Sequence, residues 1–153
     1  MRLTSSAFAP DGRIPGRFTC DGADVSPPLA WSDPPSGVRS FALVVTDPDA
    51  PGGVWYHWAI CDIPPAARAL EAHWPPERPI PPQARNDFGR PGYGGPCPPR
   101  GAAAHRYHFR LYALNVARLD LGSHAVCRDV EAAAGAQAIA TAELVGTYGR
   151  IRA

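Results

Sequence analysis

The stretch Phe41 to Asp62, FALVVTDPDAPGGVWYHWAICD, decides how the rest of the chain is read. Two apolar runs flank a link, Asp47-Pro48-Asp49-Ala50-Pro51-Gly52-Gly53, that alternates acids with conformationally restricted residues and ends in two glycines. Pro48 and Pro51 fix their own φ and push Asp47 and Ala50 towards extended conformations. A loop held in shape in advance suits a site that must present carboxylates at fixed points. Beyond it, Val54 to Ile60 alternates. As a strand it turns Val54, Tyr56, Trp58 and Ile60 one way and Trp55, His57 and Ala59 the other, so that His57 projects near Asp47 and Asp49. The same residues also fit a tight hairpin-like connection whose acids cap the turn and whose His is half-buried.

At 153 residues the chain, 1–153, reads as a single domain, long enough for a sizeable core. A net charge of +1, from 15 basic and 14 acidic residues, gives no reason to expect nucleic acid or a membrane surface as partner. Every basic residue is Arg, the better bidentate partner for carboxylate or phosphate. With 19 Pro and 15 Gly, the composition argues against a helical bundle and for many short strands and loops. No apolar run approaches a membrane span, and Met1 to Ser6 leads into polar sequence, so the expectation is a cytoplasmic chain. Cys20, Cys61, Cys97 and Cys127 share no CxxC spacing, which speaks against structural zinc; in the cytoplasm most should be reduced.

Arg2 to Phe8 reads as a first edge strand, and Phe18 to Trp31 as a long ordered loop ending in a short strand at Leu29 to Trp31. Val38 to Val45, nearly all apolar, reads as a central strand. Eleven prolines between positions 64 and 99 predict irregular surface wrapping, with at most one helical turn near Ala66 to Glu71. The end of that region, Asn86 to Gly101 (NDFGRPGYGGPCPPRG), reads as a stiff loop whose backbone amides can approach a ligand. His105 to Leu114 alternates, with His105, Tyr107, Phe109, Leu111 and Ala113 on one face. Arg128 to Ala134 and Gln137 to Gly146 read as two short closing helices.

Three regions thus supply polar groups at strand ends: Asp47 with Asp49, then His57, then His105 with Tyr107. Two imidazoles, a phenol and loop amides would form a pocket of donors for a phosphate-sized anion, with the acids orienting the rings and holding them protonated. His105 and Tyr107 fit equally as inward residues bonded to loop backbone. TDPDAP followed by WYHW, then GPCPPRG and HRYHFRLYAL, resembles the phosphatidylethanolamine-binding protein (PEBP) family, in its bacterial Raf kinase inhibitor-like (YbhB/YbcL-type) branch. CDGADVSPPLAW, NDFGRPGYGGPCPP and AELVGTYGR extend the likeness over nearly the whole chain.

The resemblance implies a mainly β fold: a large antiparallel central sheet, a smaller second sheet and short C-terminal helices. It implies a pocket for phosphate, a phosphoryl head group or acetate, formed by Asp47, His57, Pro98, Pro99, His105 and Tyr107, with Asp49, Pro51 and Cys97 in support. Gln137 stands where the family often has His, and Tyr148 is the candidate for a C-terminal Tyr. The leading expectation is a non-enzymatic binding or regulatory module without cofactor or metal. A kinase or protease is the protein partner that the resemblance suggests, and a homodimer is left open. The competing reading is a hydrolase using a metal or a Cys-His pair in the same pocket, with Cys97 as nucleophile unless it pairs with Cys20.

Overall fold

A computed structural model of the chain describes residues 1–151. Two antiparallel sheets carry the fold. The larger has the order β4-β3-β6-β7, built from β3 (Ser40–Asp47), β4 (Trp55–Ile63), β6 (His105–Leu114) and β7 (Ala138–Tyr148). The smaller has the order β1-β2-β5, from β1 (Arg2–Thr4), β2 (Leu29–Ser32) and β5 (Ala69–Leu70). One α-helix among the described residues, α1 (Cys127–Gln137), precedes β7, and Asp129 in its first turn accepts the Val126 N–H.

The unbroken apolarity of β3 has a simple cause: both faces of the strand are covered. Phe41, Leu43 and Val45 join the main core with Leu3, Leu29, Trp31 and Leu70 from the smaller sheet. Ala42 and Val44 face the opposite way, towards Cys127, Val130 and Ala134 of α1. The alternation read in 105–114 holds along β6, where Tyr107, Phe109, Leu111 and Ala113 enter the main core.

Three sequence expectations are corrected. The segment 137–146, expected to be a second helix, is the edge strand β7, paired with β6 from Ala138 to Tyr148. Its alanines suggested helix, but Ile139, Thr141, Val145 and Thr147 are β-branched and alternate with Ala140, Ala142 and Leu144, which pack on the core. The helical turn near Ala66 to Glu71 is instead a turn, closed by the Ala67 N–H on the Pro64 carbonyl, followed by β5. The first strand stops at Thr4, short of Phe8.

Strict alternation also fails in β4. Val45 pairs with Trp58 and Thr46 with Tyr56, which leaves His57 as an extra residue in a bulge. Tyr56 packs with Ala59 on the α1 side, whereas Trp58 and Ile60 enter the main core. Tyr56 and Trp58 therefore do not share a face, contrary to the reading of Val54 to Ile60.

The cysteines divide into two kinds. Cys20 and Cys97 form a disulfide across 77 residues, which corrects the expectation that Cys97 is a reduced thiol. Cys61 and Cys127 are free and buried, and burial pushes both thiols up to about 12.

The strand assignment of β7 predicts an asymmetry between its two faces. Leu144→Ala, at a position 1% exposed, should cost about 2–5 kcal/mol. Ile139→Ala, at a position 42% exposed, should fall within about 0.5 kcal/mol of the parent. Urea denaturation of the two variants reads the difference, and equal losses would contradict the assignment.

Candidate functional site

The C-terminal end of β3 lies between the N-terminal ends of β4 and β6, because both neighbours run antiparallel to it. That topology brings together Asp47, the last residue of β3, His57 in the β4 bulge, and His105, the first residue of β6. All three are buried, Asp47 and His57 to 3% exposure and His105 to 7%.

Each ring is held through Nδ1. His105 Nδ1–H donates to Asp47 Oδ2 at 2.7 Å, and the other oxygen, Oδ1, accepts the Asp49 N–H at 2.8 Å. His57 Nδ1–H donates to the Gly94 carbonyl at 2.6 Å, while Gly94 N–H donates back to the His57 carbonyl at 2.9 Å. Partners that only accept fix the protonated nitrogen as Nδ1 in both rings. Nε2 of each is left without a hydrogen bond among the described residues. Asp49 Oδ2 accepts the Arg106 N–H at 2.8 Å and ties the acidic loop to the start of β6. Its contact is to backbone, beside the pocket.

The rings border a cavity of about 210 Å³ lined by Asp47, Ala50, Pro51, Trp55, His57, Phe88, Cys97, Pro98, Pro99 and His105. Of the residues expected to bind ligand, Asp47, His57, Pro98, Pro99 and His105 line it, as do the supporting Pro51 and Cys97. Tyr107 lies behind this lining, 1% exposed, with its ring edge-on to His57 at 5.3 Å and stacked on His105 at 6.3 Å. Its hydroxyl has no hydrogen-bond partner among the described residues. A second cleft of about 280 Å³ opens on the α1 side of the sheet, but its polar groups are bonded to one another, Arg110 to Glu143 and the Tyr56 hydroxyl to Glu131.

Two features depart from the expected pocket of donors. Gly94 N–H is committed to His57 and Gly95 N–H to Asp24 Oδ1 at 2.7 Å, so these amides are not free for a ligand. The Gly-rich loop serves instead for close packing. A Cβ on Gly95 would collide with the Phe18 carbonyl oxygen and sit 2.6 Å from Asp24 Oδ1. Secondly, the lining is largely apolar. Trp55 and Phe88, which the spacing argument did not select, form an edge-to-face pair at 5.4 Å on the rim. Phe88 is set there by Asn86, whose side-chain oxygen accepts the Phe88 N–H, and by Asp87, which exchanges backbone and side-chain bonds with Tyr56. Asn-Asp before an aromatic is the turn signal that could have found it.

The expectation that the acids hold both rings protonated is corrected for His57. Burial lowers its pKa, outweighing the Gly94 carbonyl and the charges of Asp47, Asp24 and Asp87, which pull the other way. At neutral pH its Nε2 is therefore a hydrogen-bond acceptor. The Tyr107 phenol is raised well above its ordinary value, chiefly by burial and then by Asp47. The Cys-His nucleophile reading is corrected as well, since Cys97 is bonded to Cys20 and carries no thiolate. Tyr148 is buried and donates to Asp21 Oδ2 at 2.6 Å, and Gln137 ends α1; neither lines the cavity. Among the described residues no group of three or more His, Cys, Asp or Glu side chains is placed to hold a metal.

Comparison with known proteins gives a consistent picture. A sequence profile described as "Phosphatidylethanolamine-binding protein" matches residues 4–149. A UPF0098 protein from Aquifex aeolicus is 45% identical, over 98% of this chain and 89% of that one. Another, from Methanothermobacter thermautotrophicus, is 47% identical over 98% and 99%. The crystal structure of Escherichia coli YbcL, described as a new member of the mammalian PEBP family, superposes with a TM-score of 0.90. Its sequence is 33% identical, with 97% of each chain covered.

A buried neutral imidazole has a consequence for stability. In the unfolded chain His57 takes up a proton as pH falls through its ordinary value of 6.5, whereas the folded chain resists until lower pH. The unfolded state then binds more protons, so stability falls as pH drops below 6.5 and is restored above it. Urea midpoints at pH 7.5 and 5.5 should show the loss, and His57→Gln should reduce the difference between them. An unchanged pH difference in that variant would remove His57 as its source.

Proposed function

We propose, because this chain belongs to the phosphatidylethanolamine-binding protein family, that it is a non-enzymatic binding protein for a small phosphoryl or carboxylate anion. One observation carries the reading: two imidazoles, each pinned through Nδ1 with Nε2 unbonded, line one small cavity. About 210 Å³ suits a phosphate, an acetate or a compact head group rather than a drug-sized molecule. The apolar lining supports it too, because excluding water strengthens the few polar contacts that remain. Against turnover stands the content of the cavity lining, which holds no hydroxyl and no free thiol beside its imidazoles. A clamp that grips the ground state evenly lowers no barrier.

The half-exposed Trp55 and Phe88 on the rim favour a protein surface as a second occupant of the same mouth, such as the kinase or protease suggested by the resemblance. Competition by phosphate in a pull-down would join the two roles. For location, the Cys20–Cys97 bond favours an oxidising compartment over the cytoplasm expected from the sequence.

Calorimetry tests the proposal. Phosphate and phosphoethanolamine should each bind weakly at one site. His105→Ala should cost about 1–3 kcal/mol of binding and also lower the melting temperature, because it leaves the buried Asp47 Oδ2 without its donor. Asp49→Ala should leave binding nearly unchanged while losing about 1 kcal/mol of stability with the loop-to-β6 bond. An anion at Nε2 of His57 favours the protonated ring and raises the pKa that burial lowers. Binding should therefore take up a proton and strengthen as pH falls below 6.5. Acetate is the control here, since its own charge is constant over that range. Equal affinity at pH 5.5 and 8 would exclude His57 as a ligand.

A further inference from the structure

The Pro98–Pro99 side of the cavity poses a mechanical problem. Proline has no N–H, so this wall cannot be tied down by donating to a neighbouring strand. Beyond it, Arg100 forms an isolated bridge with Arg150, in which Gly101 N–H donates to the Arg150 carbonyl at 2.9 Å, and Ala102 N–H makes only a long bond to Pro99, 3.4 Å. The wall has to be held by groups that come to it.

Two do. One is the Cys20–Cys97 disulfide. The other is the side chain of Arg150, just beyond β7 and 17% exposed. Its Nη1 lies 3.5 Å from the Pro98 carbonyl and 3.6 Å from Cys97 Sγ. Its Nη2 is 3.0 Å from Asp21 Oδ1. Asp21 is itself fixed on its other oxygen by the Tyr148 hydroxyl at 2.6 Å, and it follows Cys20 directly. The guanidinium thus spans from an anchored carboxylate to the Pro98 carbonyl, and Arg150 is not among the residues that line the cavity. A fork with two arms is needed for that, which Arg has and Lys lacks.

We infer that Arg150 is a positioning residue for the pocket: it holds the Pro98–Pro99 wall at the separation from His57 and His105 that a small ligand requires. The functional half of this inference rests on the anion-binding reading above. Arg150 touches no ligand in this scheme; it acts through Pro98.

Two readouts test it, one of them free of ligand. Hydrogen exchange followed by NMR in the unliganded protein should show faster exchange at the Gly101 and Cys20 amides, which donate to the Arg150 and Pro96 carbonyls beside the wall, in Arg150→Ala, with β3 and β6 unchanged. In parallel, titration with phosphoethanolamine below the melting transition should show roughly tenfold weaker binding. Arg150→Lys separates a held wall from mere charge. It keeps the positive charge beside Asp21 but lacks the second arm, so affinity should stay low; full recovery by Lys would overturn the inference. If Arg150→Ala does not fold, the Lys variant carries both readouts. Unchanged exchange at the wall, whatever the ligand does, overturns the clamp. Faster exchange with parental affinity overturns its role in the pocket. If the parent protein binds neither phosphate nor phosphoethanolamine, the anion-binding reading fails and the exchange result alone decides the clamp.

Discussion

One carboxylate, that of Asp47, joins the acidic loop to the neighbouring strand: Oδ1 accepts the Asp49 amide, and Oδ2 accepts Nδ1–H of His105. At 3% exposure this group would be costly to leave unpaired, so its two bonds constrain everything around them. A one-residue slip of β6 against β3 would turn His105 to the opposite face and strand the charge. The same slip would expel Tyr107, Phe109 and Leu111 from the core. Sheet register and pocket geometry are therefore one requirement, enforced by apolar packing along the strands and by the Asp47–His105 and Asp49–Arg106 hydrogen bonds at their ends.

The parts of this arrangement legible in the sequence are those where one physical cause acts alone. β3 reads as central because it is apolar on both faces, and the first part of β6 reads as one-sided because His105, Tyr107, Phe109 and Leu111 are buried while Arg106, His108 and Arg110 are not. The rest was obscured where two causes compete. In 137–146 the helix propensity of alanine masks an alternation whose inward members are too small to stand out, until Leu144. In 54–60 a single extra residue reverses the phase at His57, and no composition signal marks a bulge that lacks Gly. Trp55 and Phe88 meet only in three dimensions, across a loop whose path depends on Asn86 and Asp87. The committed amides of Gly94 and Gly95 show the same limit, since flexibility in a sequence does not reveal whether it serves a ligand or a tight backbone crossing.

His57 shows how burial and charge divide the work. Three carboxylates favour its protonated form, yet desolvation prevails, so the ring is neutral at neutral pH. His105, by contrast, is bonded directly to a carboxylate at 2.7 Å. Two chemically identical side chains thus differ in what holds them: His57 is tied to a backbone carbonyl and His105 to a carboxylate. Between and behind them the Tyr107 hydroxyl is the one polar atom of this cluster that is buried without a partner, and the apolar lining of Ala50, Pro51, Trp55 and Phe88 keeps the background dielectric low.

The separations in sequence across these contacts bear on how the protein reaches its native state. Asp47 and His105 are 58 residues apart, Ser40 bonds to Val116 across 76, and Thr147 bonds to Gly12 across 135. Loop-closure entropy must be met before such contacts return any free energy, so a chain of this topology belongs with the slower two-state folders, on the order of milliseconds to seconds. β3 cannot gain its second neighbour until the proline-rich excursion between β5 and β6 has been gathered in. The cavity is thus a late product of folding, and a nascent chain holding only the first hundred residues has Asp47 and His57 but not the strand that gives Asp47 its partner.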